Sequence, residues 1–265
     1  MSTDETRTGS VSVFGLGVRL VMQITLESNY VLQQMEHVFH GEEDAGVCEY
    51  VASIGCRETN FRHLYADGKP RARAYQEICD LIIAAAEAGE RCAYLTPGNP
   101  AFLNTVVLKL REATSARGIP FFVYPGVSSI DTLITDLLLP VSDTGLQCFE
   151  ATHFVRARPA IDRRVPVLIF QPAVVEAFDV RHVEGAYLPG VKVLRDVLVG
   201  IYGPAQEWLV LQSAMAKGGA AVLAAGTLAE LVEKASYLEL GTLFIPGDWQ
   251  SEAAPGRLTP SPASA

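Results

Sequence analysis

The stretch RCAYLTPGNP, residues 91–100, decides the fold. From Cys92 to Leu95 it is apolar, as a strand covered on both faces must be, and it stops abruptly at Thr96-Pro97-Gly98. The preceding segment PRARAYQEICDLIIAAAEAGE (70–90) is rich in Ala, Glu, Ile and Leu. It reads as a helix entered through Pro70 and closed near Gly89. PAFLNTVVLKLREATSARG (100–118) reads as a second helix, and PFFVYPGVSS (120–129) repeats the pattern of an apolar strand ending at Pro-Gly. Strands alternating with helices at this spacing predict a mostly parallel sheet with helices on its faces.

The pattern extends in both directions. VSVFGLGV (11–18) predicts a buried strand running into a glycine turn. ITLESNYVLQQMEHVFH (24–40) places Leu26, Tyr30, Val31, Met35 and Val38 at a helical period, with Thr25 as N-cap. GVCEYVASIG (46–55) predicts another helix; NFRHLYADGKP (60–70) predicts an extended piece and an Asp67-Gly68 turn. SSIDTLITDLLLP (128–140) predicts a helix after a serine-rich turn. Beyond it come strands in 165–175, 207–213 and 238–247 and helices in 190–203 and 227–235, an α+β order with mixed pairing. The expected organisation is a 11–145 N-terminal α/β domain, a 146–250 C-terminal α+β domain, and a disordered Pro/Ser/Ala-rich tail at 251–265.

Composition narrows the function. The 265 residues are 49% hydrophobic and 19% charged, enough for a substantial core, and the net charge is −9. Without a basic stripe, nucleic-acid binding is not expected. No apolar run has the length of a membrane span, and the polar N-terminus lacks the features of a signal peptide. Five widely spaced cysteines without a C-x-x-C read as reduced thiols of a cytoplasmic protein. His37 and His40 lie three apart on the predicted helix with no third histidine near them in sequence, and no metal site is expected. FGLGVRL has Leu20 where a dinucleotide fingerprint needs a third glycine, which argues against a nicotinamide site. Trp208 and Trp249 read as packing anchors.

The two Pro-Gly strand ends are the candidate ligand loops. In an open parallel sheet the carboxyl ends of the strands face the ligand crevice. Glycine there admits close backbone approach, and the hydroxyls of Thr96, Ser128 and Ser129 are available to a polar cofactor. The same serines also suit a helix N-cap. Glu150 and Thr152 in CFEATHF are read equally as cleft residues or as the start of a capped helix. Gln171 ends a buried strand, where its amide offers a donor and an acceptor.

The order FGLGV, YLTPGNPAF, YPGVSSIDTLITDLLLP, LQCFEATHF, LIFQPAVV resembles the tetrapyrrole methylase superfamily over residues 11 to 250. These are class III methyltransferases that use S-adenosylmethionine. The resemblance implies a two-domain tetrapyrrole-methylase-like α/β fold, with the cofactor in the cleft between the domains, and a homodimer. LYADGKPRARAY, CFEATHF and LELGTLFIPG are similar to the borosin-type methyltransferases, which methylate backbone amide nitrogens of a peptide. That family's tyrosine, arginine and tyrosine match Tyr65, Arg71 and Tyr75, implying these as catalytic residues. Its cofactor loop matches Tyr94, Thr96, Pro97, Gly98, Asn99 and Pro100, with Thr96 standing where the family has histidine. Further cofactor contacts are implied at Ser128, Ser129, Gln171, Leu211 and Thr242, with Pro172 replacing a glycine after Gln171.

An amide nitrogen is a poor nucleophile because its lone pair is delocalised. A tyrosinate beside an arginine is one way to take its proton. Arg71 and Tyr75, at i and i+4, share a helix face, and the turn at Asp67-Gly68 folds Tyr65 back toward it. Either tyrosine is a candidate base. Arg73 lies off this face. The expected substrate is a peptide supplied as a separate chain, since no apolar core peptide follows the domain; methylation of a small anionic metabolite and a non-catalytic binding protein are the alternatives.

Overall fold

The computed structural model describes residues 8–180, 187–213, 221–239 and 241–247; the expected tail and Trp249 lie outside the described residues. The chain forms two compact units. One comprises the described residues through Ser129 together with Phe178–Val180; the other comprises Ile130–Ala177 and the described residues from Tyr187 onward. The division falls at Ser129/Ile130, ahead of the 145/146 boundary expected from the polar turn-rich segment. Thr132, just inside the helix that starts there, shares a hydroxyl hydrogen bond with Ser213 of the second unit.

In the first unit β1 (Ser10–Gly15), α1 (Leu26–Leu32), β2 (His37–His40), α2 (Ala45–Ile54), β3 (Arg57–Asn60), α3 (Arg71–Glu87), β4 (Arg91–Thr96), α4 (Thr105–Arg117) and β5 (Phe121–Tyr124) follow one another. The strands pair in the order β3-β2-β4-β1-β5, every pair parallel. Alternate residues of β4 explain why both faces need cover. Cys92 and Tyr94 join a core with Ile78, Ile82 and Leu110 of α3 and α4. Ala93 and Leu95 join another with Leu32, Val47 and Val51 of α1 and α2. In α3 the buried residues Ala74, Ile78, Ile82 and Ala86 recur every fourth position, the stripe of a helix laid on a sheet.

HVFH is a strand, not the end of a helix. α1 stops at Leu32, and all four residues His37–His40 are buried in β2, between β3 and β4. The helical period was misleading because Leu26 and Tyr30, two of its apolar positions, face solvent. A buried stretch with Val38 and Phe39 gains more from sheet pairing and cover on both faces. In a strand, residues three apart point to opposite faces, so His37 and His40 share none. His37 is instead satisfied by Glu90 and Thr59, both at 2.8 Å, and His40 Nε2 by Glu58 at 2.8 Å. α4 begins at Thr105 rather than near Pro100, because the Asn104 side chain caps it by accepting from Val107 N at 3.2 Å.

The second unit contains α5 (Ser129–Leu137), α6 (Val141–Thr144), β6 (Gln147–Glu150), α7 (Ala151–Ala157), β7 (Val167–Phe170), α8 (Leu188–Tyr202), β8 (Glu207–Leu211), β9 (Val222–Thr227), α9 (Ala235–Leu238) and β10 (Thr242–Ile245). Its sheet, β6-β7-β10-β8-β9, is mixed: β6 and β7 run parallel, and the remaining neighbours antiparallel. β9, VLAAGT, has Ala-Ala-Gly at its centre and is not among the expected strands. The helix expected over 227–235 is reduced to a 3₁₀ turn at Leu228–Glu230, closed by a Thr227/Glu230 capping box. Trp208 is a buried anchor whose indole donates to Thr227 O at 2.7 Å. Glu150 takes the capping role: its carboxylate accepts from Thr152 N and His153 N at 2.8 and 2.7 Å. Among the described residues no helix is long and apolar enough to cross a membrane.

Burial pushes His37 below the usual imidazole range, outweighing the opposing hydrogen bond from Glu90. A folded-state value below the unfolded one gives stability that is complete above about pH 6.5 and lost as pH falls through the folded-state value. Urea unfolding of the unaltered chain should therefore show a declining midpoint on acidification from about pH 7, and His37→Gln should flatten that decline relative to wild type.

Candidate active site

The carboxyl ends of the parallel strands carry the candidate chemistry. β1 and β4 are neighbours, yet the connection after β1 leads to β2 and the one after β4 leads to β5, on opposite sides. This is a topological switch point, where open α/β sheets bind ligands. The two diverging loops are tied by Gly98 N donating to Gly17 O at 2.9 Å. Behind this tie the backbone packs without room for side chains. A Cβ on Gly15 would lie 2.4 Å from Gly98 O and 2.5 Å from Gly126 N. Gly98 itself adopts φ +64°, a conformation that glycine takes without strain. Thr96 and Ser128 place buried hydroxyls at this end of the sheet, while Pro97 is exposed and Pro100 buried. The Asn99 side chain accepts from Ala101 N at 2.9 Å and shapes the turn.

Beside this junction lies a cavity of about 230 Å³ in the first unit. The residues directly after three adjacent strands frame it: Gly41 and Glu42 after β2, Phe61 and Arg62 after β3, Pro97 after β4. Tyr65, Tyr75, Tyr94, Thr96 and Asn104 complete the polar lining. Tyr65 meets Tyr75 edge-on, with ring centroids 6.3 Å apart, and Phe61 bridges to both Tyr65 and Tyr94 at 6.5 and 5.9 Å. Asn104 Nδ2 donates to Thr96 Oγ1 at 2.9 Å and lies 3.5 Å from the Tyr94 hydroxyl, so the residue that caps α4 also orients the cavity wall.

The turn and helix predicted at 65–75 thus bring Tyr65 and Tyr75 together. Arg71 takes a different place. As the first residue of α3 its N–H donates to Phe178 O at 2.8 Å, and its Nε donates to Asp179 O at 3.2 Å. Gly68 N and Lys69 O bond Val180 at 2.9 Å each, so residues 178–180 run as a strap along this segment. Arg71 is not among the residues that line the cavity; Arg62 is. Arg73 points outward and pairs with Glu77 at 3.1 Å.

Ser129, half-buried, opens α5. In the second unit Leu211 and Thr242 are register partners across β8 and β10. Gln171, exposed and at φ +55°, follows β7, which pairs with β10 on its other side. The three residues therefore sit at one end of the second sheet.

Electrostatics separates the tyrosines from a simple phenolate model. Burial pushes Tyr65 well above the usual phenol range, Tyr94 and Tyr75 add to the rise, and the Arg62 and Arg71 cations only partly offset it. Burial likewise raises Tyr94. Glu42 is raised above the ordinary carboxylate range by burial, against the pull of Arg62 and His40. Sequence reasoning missed Glu42, Phe61, Arg62 and Asn104. Asn104 had a legible signal, an asparagine before TVVLKL; Glu42 was hidden by reading β2 as helix.

The match to known proteins agrees with this architecture. Residues 10–172 match the family model of tetrapyrrole (corrin/porphyrin) methylases, and the chain belongs to that family. Among curated relatives, a methyltransferase/ribosomally synthesized type III borosin cyclic peptide precursor of Anomoporia bombycina is 23% identical, over 91% of this chain and 28% of its own length. The corresponding dendrothelin A precursor of Dendrothele bispora is 27% identical, over 77% of this chain and 48% of its own. The omphalotin A precursor of Omphalotus olearius is 26% identical over 60% and 38%. The chain thus aligns to between about a quarter and a half of the length of these relatives. Solved structures with this fold include the methyltransferase CobJ, with a TM-score of 0.61, 14% identity, and coverage of 93% of this chain and 98% of that one. Uroporphyrin-III-C-methyltransferase of Thermus thermophilus has a TM-score of 0.60, 19% identity and coverage of 91% and 93%.

Two substitutions test the geometry. Gly15→Ala forces a methyl group into backbone and should lower unfolding stability by about 1–3 kcal/mol. Asn104→Ala removes the cap and should cost about 1 kcal/mol in urea unfolding, whereas Asn104→Asp keeps the cap acceptor and loses only the donor to Thr96. Equal losses for both would contradict a capping role.

Proposed function

We propose that this chain is an S-adenosylmethionine-dependent methyltransferase whose acceptor is a backbone amide nitrogen of a peptide. The observation that carries this reading is the cavity in which Tyr65, Tyr75 and Tyr94 converge at the strand ends, with the tyrosine spacing of the borosin-type enzymes. The curated relatives, named as methyltransferases joined to cyclic peptide precursors, support it. So does size: about 230 Å³ is below the roughly 300–1,000 Å³ of sites that enclose drug-sized ligands. One peptide unit suits such a space better than a macrocycle.

The residues present fit the cofactor in one respect. The glycine junction of Gly15, Gly98 and Gly126 presents bare backbone, and Thr96 and Ser128 supply buried hydroxyls, which is the donor set a polar nucleoside needs. Pro97, Gly98, Asn99, Pro100 and Ser129 are the neighbouring residues that would hold it. When bound, S-adenosylmethionine supplies an electrophilic methyl group.

The chain's own residues then act on the amide. Charge develops on the acyl oxygen as the nitrogen loses its proton. Tyr65, kept protonated by burial, donates a hydrogen bond to that oxygen rather than accepting the proton. Tyr75, edge-on to it, lines the same space and positions the peptide unit. Arg62 and Arg71 maintain a positive potential at Tyr65 that favours the developing charge.

The reading is tested by co-expression with candidate precursor peptides, followed by mass spectrometry. Peptide carrying methyl groups on backbone nitrogens is expected. Tyr65→Phe and Tyr75→Phe should each slow transfer by about 100-fold, and Arg71→Ala should slow it as well. Methylation of a tetrapyrrole with no modification of any peptide would overturn it.

A further inference from the structure

We infer that Glu42 is the proton acceptor of this site, the residue to which the amide N–H proton passes during methyl transfer. The inference rests on the peptide-methylating function proposed above and adds a residue that the tyrosine and arginine pattern does not contain.

The geometry is that of a carboxylate built into the cavity wall. Glu42 follows β2 directly, in the middle of the three strand ends that frame the space, and lines it together with Tyr65, Tyr75 and Tyr94. Its backbone is fixed, because Glu42 O accepts from Asn60 Nδ2 at 2.8 Å. Its carboxylate, by contrast, has no hydrogen bond or ion pair among the described residues. Arg62, the cation that acts most strongly on it, pairs with Glu43 at 3.6 Å instead. A half-buried carboxylate without a partner is costly, and such groups are found where they meet a ligand.

Its surroundings suit a base. The charged and titratable groups around it are Arg62, His40, Asp44 and Glu43, with Tyr65, Tyr75 and Tyr94 on the same cavity wall. Burial, aided by Asp44 and Glu43, lifts its pKa, while Arg62 and His40 oppose the rise. A carboxylate shifted upward accepts a proton more readily than an exposed one. The buried phenols are the poorer choice, since their ionised forms are further disfavoured.

The step balances. The new N–C bond forms as the donor's S–C bond breaks, with that electron pair staying on sulfur. The N–H bond breaks in the same event; its pair remains on nitrogen and the proton goes to a Glu42 carboxylate oxygen. Release of that proton to water restores the site.

The test uses the full chain, S-adenosylmethionine and a random-sequence synthetic peptide pool, reading S-adenosylhomocysteine release across pH beside calorimetric cofactor binding. Wild-type turnover should rise with pH through a limb displaced above the ordinary carboxylate range. Glu42→Gln should turn over about 100-fold more slowly and lose that limb, with cofactor affinity unchanged and the unfolding midpoint unchanged or raised, since a costly buried charge is removed. Glu42→Asp should keep the limb at reduced rate. A Glu42→Gln enzyme with wild-type turnover and pH profile would overturn the assignment. So would parallel loss of cofactor binding and stability, the signature of a structural role. For an assay independent of variant folding, carbon-13 carboxyl titration of wild type should show one glutamate titrating above the others, and its absence also overturns the proposal. If wild type binds cofactor but methylates no peptide, the peptide-methylating function itself fails, and Glu42 loses this role with it.

Discussion

Everything at the carboxyl end of the first sheet depends on one steric fact: Gly15 and Gly126 pack backbone against backbone and against the carbonyl of Gly98, with no space for a Cβ on either. The ends of β1 and β5 can close on the β4 loop only because neither Gly15 nor Gly126 carries a side chain at the point of contact. With β1 and β4 in register from Ser10↔Arg91 to Gly15↔Thr96, the junction sets where Thr96 ends its strand. From there Asn104 reaches back to Thr96 while capping α4. A methyl group at the junction would therefore displace several loops, not one contact.

Much of this architecture was legible because the physics is local. RCAYLT is apolar on both faces, and a strand that reads so must lie inside a parallel sheet. α3 announces itself by propensity, by Pro70 and by Gly89. The failures were places where a tertiary partner decides. HVFH satisfies a helical period, yet the rings of His37 and His40 find Glu90, Thr59 and Glu58, which are distant in sequence, and the segment becomes an inner strand. The centre of β9, Ala224-Ala225-Gly226, has little strand preference of its own; pairing with β8 over Glu207↔Thr227 to Leu211↔Val222 makes it a strand.

The candidate site divides along the same line. Tyr65 and Tyr75 could be linked from spacing and turn chemistry, since both belong to one continuous segment. Arg71 shows the limit of that logic: its helix position was correct, but the carbonyl of Asp179, more than a hundred residues away, holds its side chain. Glu42, Arg62 and Asn104 come from separate loops and meet only because β2, β3 and β4 are neighbours. A strand assigned as a helix conceals not only itself but every residue that its end would deliver to the crevice.

The competition at Tyr65 explains why a carboxylate belongs in such a site. Two arginines act to favour the phenolate, and burial opposes them and prevails. Burial that strengthens hydrogen bonds to an oxyanion also penalises phenol ionisation. The same burial that disfavours the phenolate makes Glu42 a stronger base than an exposed carboxylate, because desolvation raises both groups but from very different starting values. The proposed division of labour follows from this contrast: neutral hydroxyls stabilise charge, and the carboxylate receives the proton.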